Sequence, residues 1–155
     1  MIGCLRFIVV GLLTAACGRG APTPAADQEQ SPGASAQKII HEGRELRGFL
    51  VKVGSRYRYD YYDVHEPDSS FAALNAAGYQ GGGPTWLGIV QGLIQLRQPT
   101  LLRELDFDEE GEGLAIWSKN RAALVSVAAL ITDAKEGPKV LSAAIAEAVK
   151  AGHME

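Results

Sequence analysis

Six carboxylates fall within nine residues of this chain, Glu104, Asp106, Asp108, Glu109, Glu110 and Glu112, with no Lys or Arg among them. Two such groups could serve as acid and base in glycoside hydrolysis, several could hold calcium, and a solvent-facing row could receive a basic partner. No Asp-x-Asp-x-Asp-Gly calcium loop is present. Leu105 and Phe107 alternate with the acids, which puts Glu104, Asp106 and Asp108 on one face of a strand and leaves Glu109 to Gly113 as a turn. Carboxylates so placed are easily solvated and guard a sheet edge, or they dock a cationic protein. Other chemistry is sparse. No Gly-x-Ser-x-Gly elbow occurs, both cysteines (Cys4 and Cys17) lie in the first residues, and His41, His65 and His153 match no metal-ligand spacing. The expectation is a protein that is not an enzyme and uses no metal and no cofactor.

The elements that must position these acids are organised around Gly78-Tyr79-Gln80-Gly81-Gly82-Gly83-Pro84-Thr85-Trp86. Its glycines allow backbone angles that side chains forbid, and Pro84 ahead of an apolar periodic run marks a helix start. A phosphate cradle would need Gly-Lys-Ser/Thr, or Gly-x-Gly-x-x-Gly between a strand and a helix, and neither occurs. The segment is therefore read as a tight connection between two helices with Trp86 in the core.

Before it, Phe49, Val51 and Val53 alternate with Leu50 and Lys52, Gly54-Ser55 turns, and Tyr57, Tyr59 and Tyr61 alternate with Arg56, Arg58 and Asp60. This predicts a hairpin whose tyrosines either pack on helices or form an exposed aromatic surface, with Lys52, Arg58 and Asp60 on the other face. Asp68 or Ser69 caps a short helix ending at Gly78, and Trp86, Ile89, Val90, Leu93, Ile94 and Leu96 mark a central helix up to Pro99. Gly88 and Gly92 on it would let a neighbour approach. After the acidic hairpin, Ser118 is a candidate N-cap, Gly137-Pro138 separates two helices, and Gly152 closes the last. The order is hairpin, two helices, hairpin, two helices, an α+β domain over residues 39–155.

The 155 residues carry a net charge of -3 and are 46% hydrophobic, which suits one globular domain and gives no clustered cations for nucleic acid. Residues 18–38 are rich in Ala, Pro, Gly, Ser and Gln and read as a disordered linker. Residues 1–17 read as a signal peptide: Arg6, the run Phe7 to Leu13, then Thr14-Ala15-Ala16 before Cys17. Leu13-Thr14-Ala15-Ala16-Cys17 resembles the lipobox of bacterial lipoproteins. That resemblance implies lipid attachment at Cys17, membrane anchoring in the cell envelope facing the periplasm, and, with Gly18 rather than Asp next, the outer membrane.

Two stretches together, the glycine segment 78–86 and Leu105-Asp106-Phe107-Asp108-Glu109-Glu110-Gly111 followed by Leu114-Ala115-Ile116-Trp117-Ser118, give the chain a resemblance to the immunity protein 51 family of bacterial polymorphic toxin systems over roughly residues 49–149. The chain departs from the usual pattern at Gly82, often Asn in the family, and at Pro84. The resemblance implies binding and neutralisation of a cognate toxin protein without turnover, with Asp106, Asp108, Glu109, Glu110 and Glu112 as the docking edge. The alternative is an envelope lipoprotein acting as an assembly or small-ligand-binding module through Tyr57, Tyr59 and Tyr61.

Overall fold

Three two-residue turns set the register of the sheet: Glu42-Gly43 between His41 and Arg44, Gly54-Ser55 between Val53 and Arg56, and Gly111-Glu112 between Glu110 and Gly113. Glu42, Gly43 and Gly54 have left-handed backbones (φ 51, 79 and 58), which suits the twist of tight hairpins. The computed structural model describes residues 35–154. The leader, Cys17 and the linker as far as residue 34 lie outside the described residues. The elements are β1 (Gln37–His41), β2 (Arg44–Val53), β3 (Arg56–Tyr61), α1 (Ser69–Ala76), α2 (Gly83–Arg97), β4 (Asp106–Glu110), β5 (Gly113–Ser118), α3 (Arg121–Glu136) and α4 (Pro138–Ala151). Short 3-10 turns occupy Asp63–His65 and Pro99–Glu104.

The α+β class and the plan of two hairpins, each followed by two helices, hold. What local pattern did not reveal is that the hairpins merge: β3 pairs with β5, giving one five-stranded antiparallel sheet in the order β1-β2-β3-β5-β4. β1 is an additional strand. It takes up Gln37 and Lys38, which by composition read as the end of the linker, and pairs them with Leu50 and Phe49.

α2 and α3 cover one face of the sheet, against Leu46, Leu50, Tyr59, Tyr61, Leu114 and Ile116, and α4 and α1 pack on those helices. α2 is the central one, with Trp86, Ile89, Val90, Leu93 and Ile94 buried. Its two internal glycines have the predicted role. A Cβ on Gly88 would stand 2.4 Å from His153 O, and one on Gly92 would stand 2.5 Å from Ala144 O. The small faces of α2 and α4 thus bring the two backbones together, with Ala144 and Ala148 of α4 fully buried.

Capping follows local chemistry. Asp68 caps α1, its Oδ1 accepting from Phe71 N (3.0 Å) and Ser70 Oγ (2.6 Å). α3 is capped by Asn120, whose Oδ1 accepts from Ala122 N at 3.0 Å, and not by Ser118. Ser118 instead ends β5, buried, donating to Glu104 O (2.9 Å) and accepting from Asn120 N (3.0 Å). A hydroxyl two residues ahead of the cap thus shapes the approach to the helix while the Asn120 side chain does the capping.

One charge sits inside the helical layer. The Lys135 side chain is fully buried, its Nζ 2.8 Å from Asp68 Oδ2, 3.8 Å from Glu66 Oε2 and 5.3 Å from the centre of the Trp86 ring. Glu66 also accepts from Arg47. This network ties the N-terminus of α1 to the last turn of α3. Burial opposes ionisation of Asp68, but the hydrogen bonds from Lys135, Ser70 and Phe71 N outweigh it and bring the carboxyl down to about 2.

Candidate functional site

The two stretches that carry the family resemblance touch each other. Gly83, the first residue of α2, donates its N–H to Gly111 O (3.2 Å) at the tip of the β4–β5 hairpin. A Cβ on Gly83 would lie 1.8 Å from Glu110 O and 2.1 Å from Gly113 O, and one on Gly82 would lie 2.9 Å from Gly111 O. Of the hinge glycines, Gly78 and Gly81 use left-handed angles (φ 87 and 78), while Gly82 and Gly83 are needed for close approach of backbone to backbone. The hinge is therefore the seat of the acidic hairpin.

The hairpin itself is longer than alternation suggested. β4 continues through Glu109 and Glu110, which pair with Leu114 and Gly113, so the turn is Gly111-Glu112 alone rather than Glu109 to Gly113. Asp106, Asp108 and Glu110 alternate along one face of the edge strand. They are not equivalent. Asp106 accepts from Arg56 across β5 and is half of an internal ion pair. Asp108 and Glu110 are exposed and without an ion-pair partner among the described residues. Glu112 is at the tip, its Oε2 3.7 Å from His65 Nε2, a pair that is ionic only when the imidazole is protonated. Among the described residues no three His, Cys, Asp or Glu side chains come together as a metal-ligand set.

The tyrosine stripe faces the helices. Tyr59 and Tyr61 are fully buried, Tyr59 Oη donates to Arg47 O at 2.9 Å, and Tyr61 meets the Trp86 ring edge-on with centroids 5.3 Å apart. Burial raises the phenol pKa of both. An exposed aromatic surface made of these residues, as the alternative reading requires, is not available. Lys52 also differs from expectation: it pairs with Tyr57 and so lies at the margin of the tyrosine face, not beside Arg58 and Asp60.

The opposite face of the sheet is the unexpected feature. Its rows read Phe49–Asp60–Ala115–Asp108 and Val51–Arg58–Trp117–Asp106, with Val53–Arg56 at one end and Tyr62 lying over Gly113 at the other. Among the described residues no helix packs here, and Phe49, Val53 and Tyr62 are 41%, 37% and 50% exposed. Arg56 and Arg58 both stand over the Trp117 ring, at 5.5 and 5.4 Å from its centre. Arg58 is held by Asp60, Nε to Oδ1 2.8 Å, and Arg56 by Asp106. Sequence reasoning missed this cluster because alternation places Phe49 and Trp117 in strands without saying which face of the sheet the helices cover. The signal that could have found it is parity: once Tyr59 faces inward, its register partners Leu50 and Ile116 do too, and Phe49 and Trp117 point out.

Comparison with known proteins agrees with the resemblance. The family model described as immunity protein 51 matches residues 60–150. The match covers the hinge, the acidic hairpin and the last two helices, and starts inside β3 rather than at Phe49. Neither the curated proteins nor the solved structures give a match. With the matched span covering more than half of the chain, and the glycine hinge and acidic hairpin that define the resemblance packed directly on one another, the protein belongs to the immunity protein 51 family.

Proposed function

We propose that the protein binds one cognate toxin domain and neutralises it stoichiometrically, without turnover. The observation that carries this reading is the family match across residues 60–150, which spans the acidic hairpin. Asp106, Asp108, Glu109, Glu110 and Glu112 form the docking edge in this reading. Asp108 and Glu110 carry free charge on the strand face, whereas Asp106 is already engaged by Arg56. A row of carboxylates on an edge strand attracts a basic surface at long range and repels wrong partners.

The test is to find a toxin gene next to this one and co-express the two, scored by survival of the host cell. Reversing both Asp108→Lys and Glu110→Lys is expected to slow association about tenfold or more at low salt, and to flatten the salt dependence of the rate. The melting temperature should stay within a few degrees, since both side chains are exposed. Unchanged association kinetics would remove the acids from the docking edge.

The same reading places the domain in the cell envelope, anchored by lipid at Cys17 and facing the periplasm, with the outer membrane favoured. The lipobox-like Leu13-Thr14-Ala15-Ala16-Cys17 and the polar linker after it support this. Cys17→Ala is expected to abolish incorporation of labelled fatty acid and to shift the protein from the membrane to the soluble fraction. Labelling that survives the substitution would end the anchor assignment.

A further inference from the structure

We propose that the toxin seats on the sheet face that no described helix covers, with Trp117 between Arg56 and Arg58 as the anchor, Phe49 and Tyr62 around it, and the β4 acids as one margin only. This rests on the toxin-binding reading above and specifies the surface it uses. A sheet face left to water ordinarily shows polar residues at every second position. Here β2 carries Phe49, Val51 and Val53 on this side in succession and β5 carries Ala115 and Trp117, with Val51 and Ala115 buried under their neighbours and Phe49 and Val53 exposed. Phe49, Val53 and Tyr62 are among the large apolar or aromatic side chains most exposed in the described residues. Aromatic residues and arginine are the types that dominate binding energy in protein interfaces.

The face is also prepared. Each arginine is fixed from two sides, by the indole and by a carboxylate: Arg58 by Trp117 and Asp60, Arg56 by Trp117 and Asp106. Asp60 is itself buried beneath this layer. Long side chains held before binding lose little freedom when a partner arrives, so the surface loses less of its binding energy to ordering. Exposed arginines without such supports would be mobile.

Charge distribution selects the partner. Arg56 and Arg58 are neutralised internally, which leaves an aromatic, electrically balanced centre. On the β4 side Asp108 and Glu110 have no ion-pair partner among the described residues. The complement is a folded protein surface with an apolar centre and Lys or Arg along one side, the side that meets β4. The open sheet face and the acidic edge thereby become parts of one footprint.

The experiment measures affinity of the full chain for the toxin domain that the co-expression test identifies, by titration, for Phe49→Glu, Trp117→Ala and a control, Val149→Glu, on α4. Val149 is 52% exposed and lies on the helical side, away from the sheet face. We expect Phe49→Glu and Trp117→Ala each to weaken binding about 30-fold or more, and the control to leave it within about threefold. Phe49 lies opposite Asp60 in the sheet, so thermal melts check that both face variants are folded before a loss of affinity is read. If the unaltered chain binds and protects while both face variants bind as tightly, the seat is elsewhere and the toxin-binding reading stands. Absence of binding by the unaltered chain overturns that reading and this one with it. Conversion of a dimer to a monomer by the face variants, with toxin affinity unchanged, assigns the face to a second copy and overturns the proposal.

Discussion

Gly83→Ala should destabilise the domain by about 3 kcal/mol or more and lower its melting temperature by at least about 10 °C, although Ala favours helices over Gly in nearly any other setting. The added methyl would meet Glu110 O and Gly113 O at 1.8 and 2.1 Å, and both are strand carbonyls rather than movable side-chain ends. Moving α2 away would break the bond from Gly83 N–H to Gly111 O and open the core around Trp86, the largest fully buried side chain. Gly111→Ala is the matched control. Its Cβ would meet nothing within 4 Å, so it should change stability by less than about 0.5 kcal/mol. Chemical denaturation of the two variants side by side checks the claim. Equal midpoints would mean that the hinge does not support the hairpin as described.

Lys135→Ala is the second large effect expected, a loss of about 3 kcal/mol. The substitution empties space beside Trp86 and leaves Asp68 without its strongest counter-ion in a partly buried position. Lys135→Met refills the volume without the charge and should recover part of the loss. The double variant Lys135→Met with Asp68→Asn should be less unstable than the two single effects added, since neither then faces an orphaned partner. Acid gives a second readout. Because the Asp68 carboxyl is depressed to about 2 in the folded state, its contribution is complete above the ordinary carboxylate range near pH 4 and disappears as pH falls through about 2. The stability gap between the natural chain and Lys135→Ala should therefore narrow over that interval. A gap that stays constant with pH would show that Lys135 acts by filling space alone.

The parts of this fold that were legible in the sequence are those decided within a few residues. Gly54-Ser55 announced its turn, Asp68 its cap, and Gly137-Pro138 the break between α3 and α4, each through backbone chemistry that acts locally. The misreadings have the opposite character. Gln37 and Lys38 carry little apolar surface and joined the sheet only because Leu50 and Phe49 were there to pair with them. Glu109 and Glu110 looked like turn residues, yet Gly113 opposite Glu110 let the strand run on. Lys135 carries no local signal of burial, because its partner Asp68 is far away in the chain. At the candidate site the acids were visible as a run, but the pairing of Asp106 with Arg56 was not, nor was the outward turn of Trp117. Both follow from β3 lying beside β5, which no periodicity encodes.

That same junction has a consequence for how the molecule comes into being. Tyr57 meets Ser118 only after α1, α2 and β4 have been synthesised, so the middle of the sheet closes late and the emerging N-terminal strands wait without their central neighbour. Nor can the span recognised as the family signature live by itself. A chain trimmed to begin at Asp60 would lose β1, β2 and most of β3, baring the edge of β5 at Ile116 and the helical surface that Leu50 and Tyr59 cover. The smallest autonomous form of this protein must start upstream of the matched span, at the first strand.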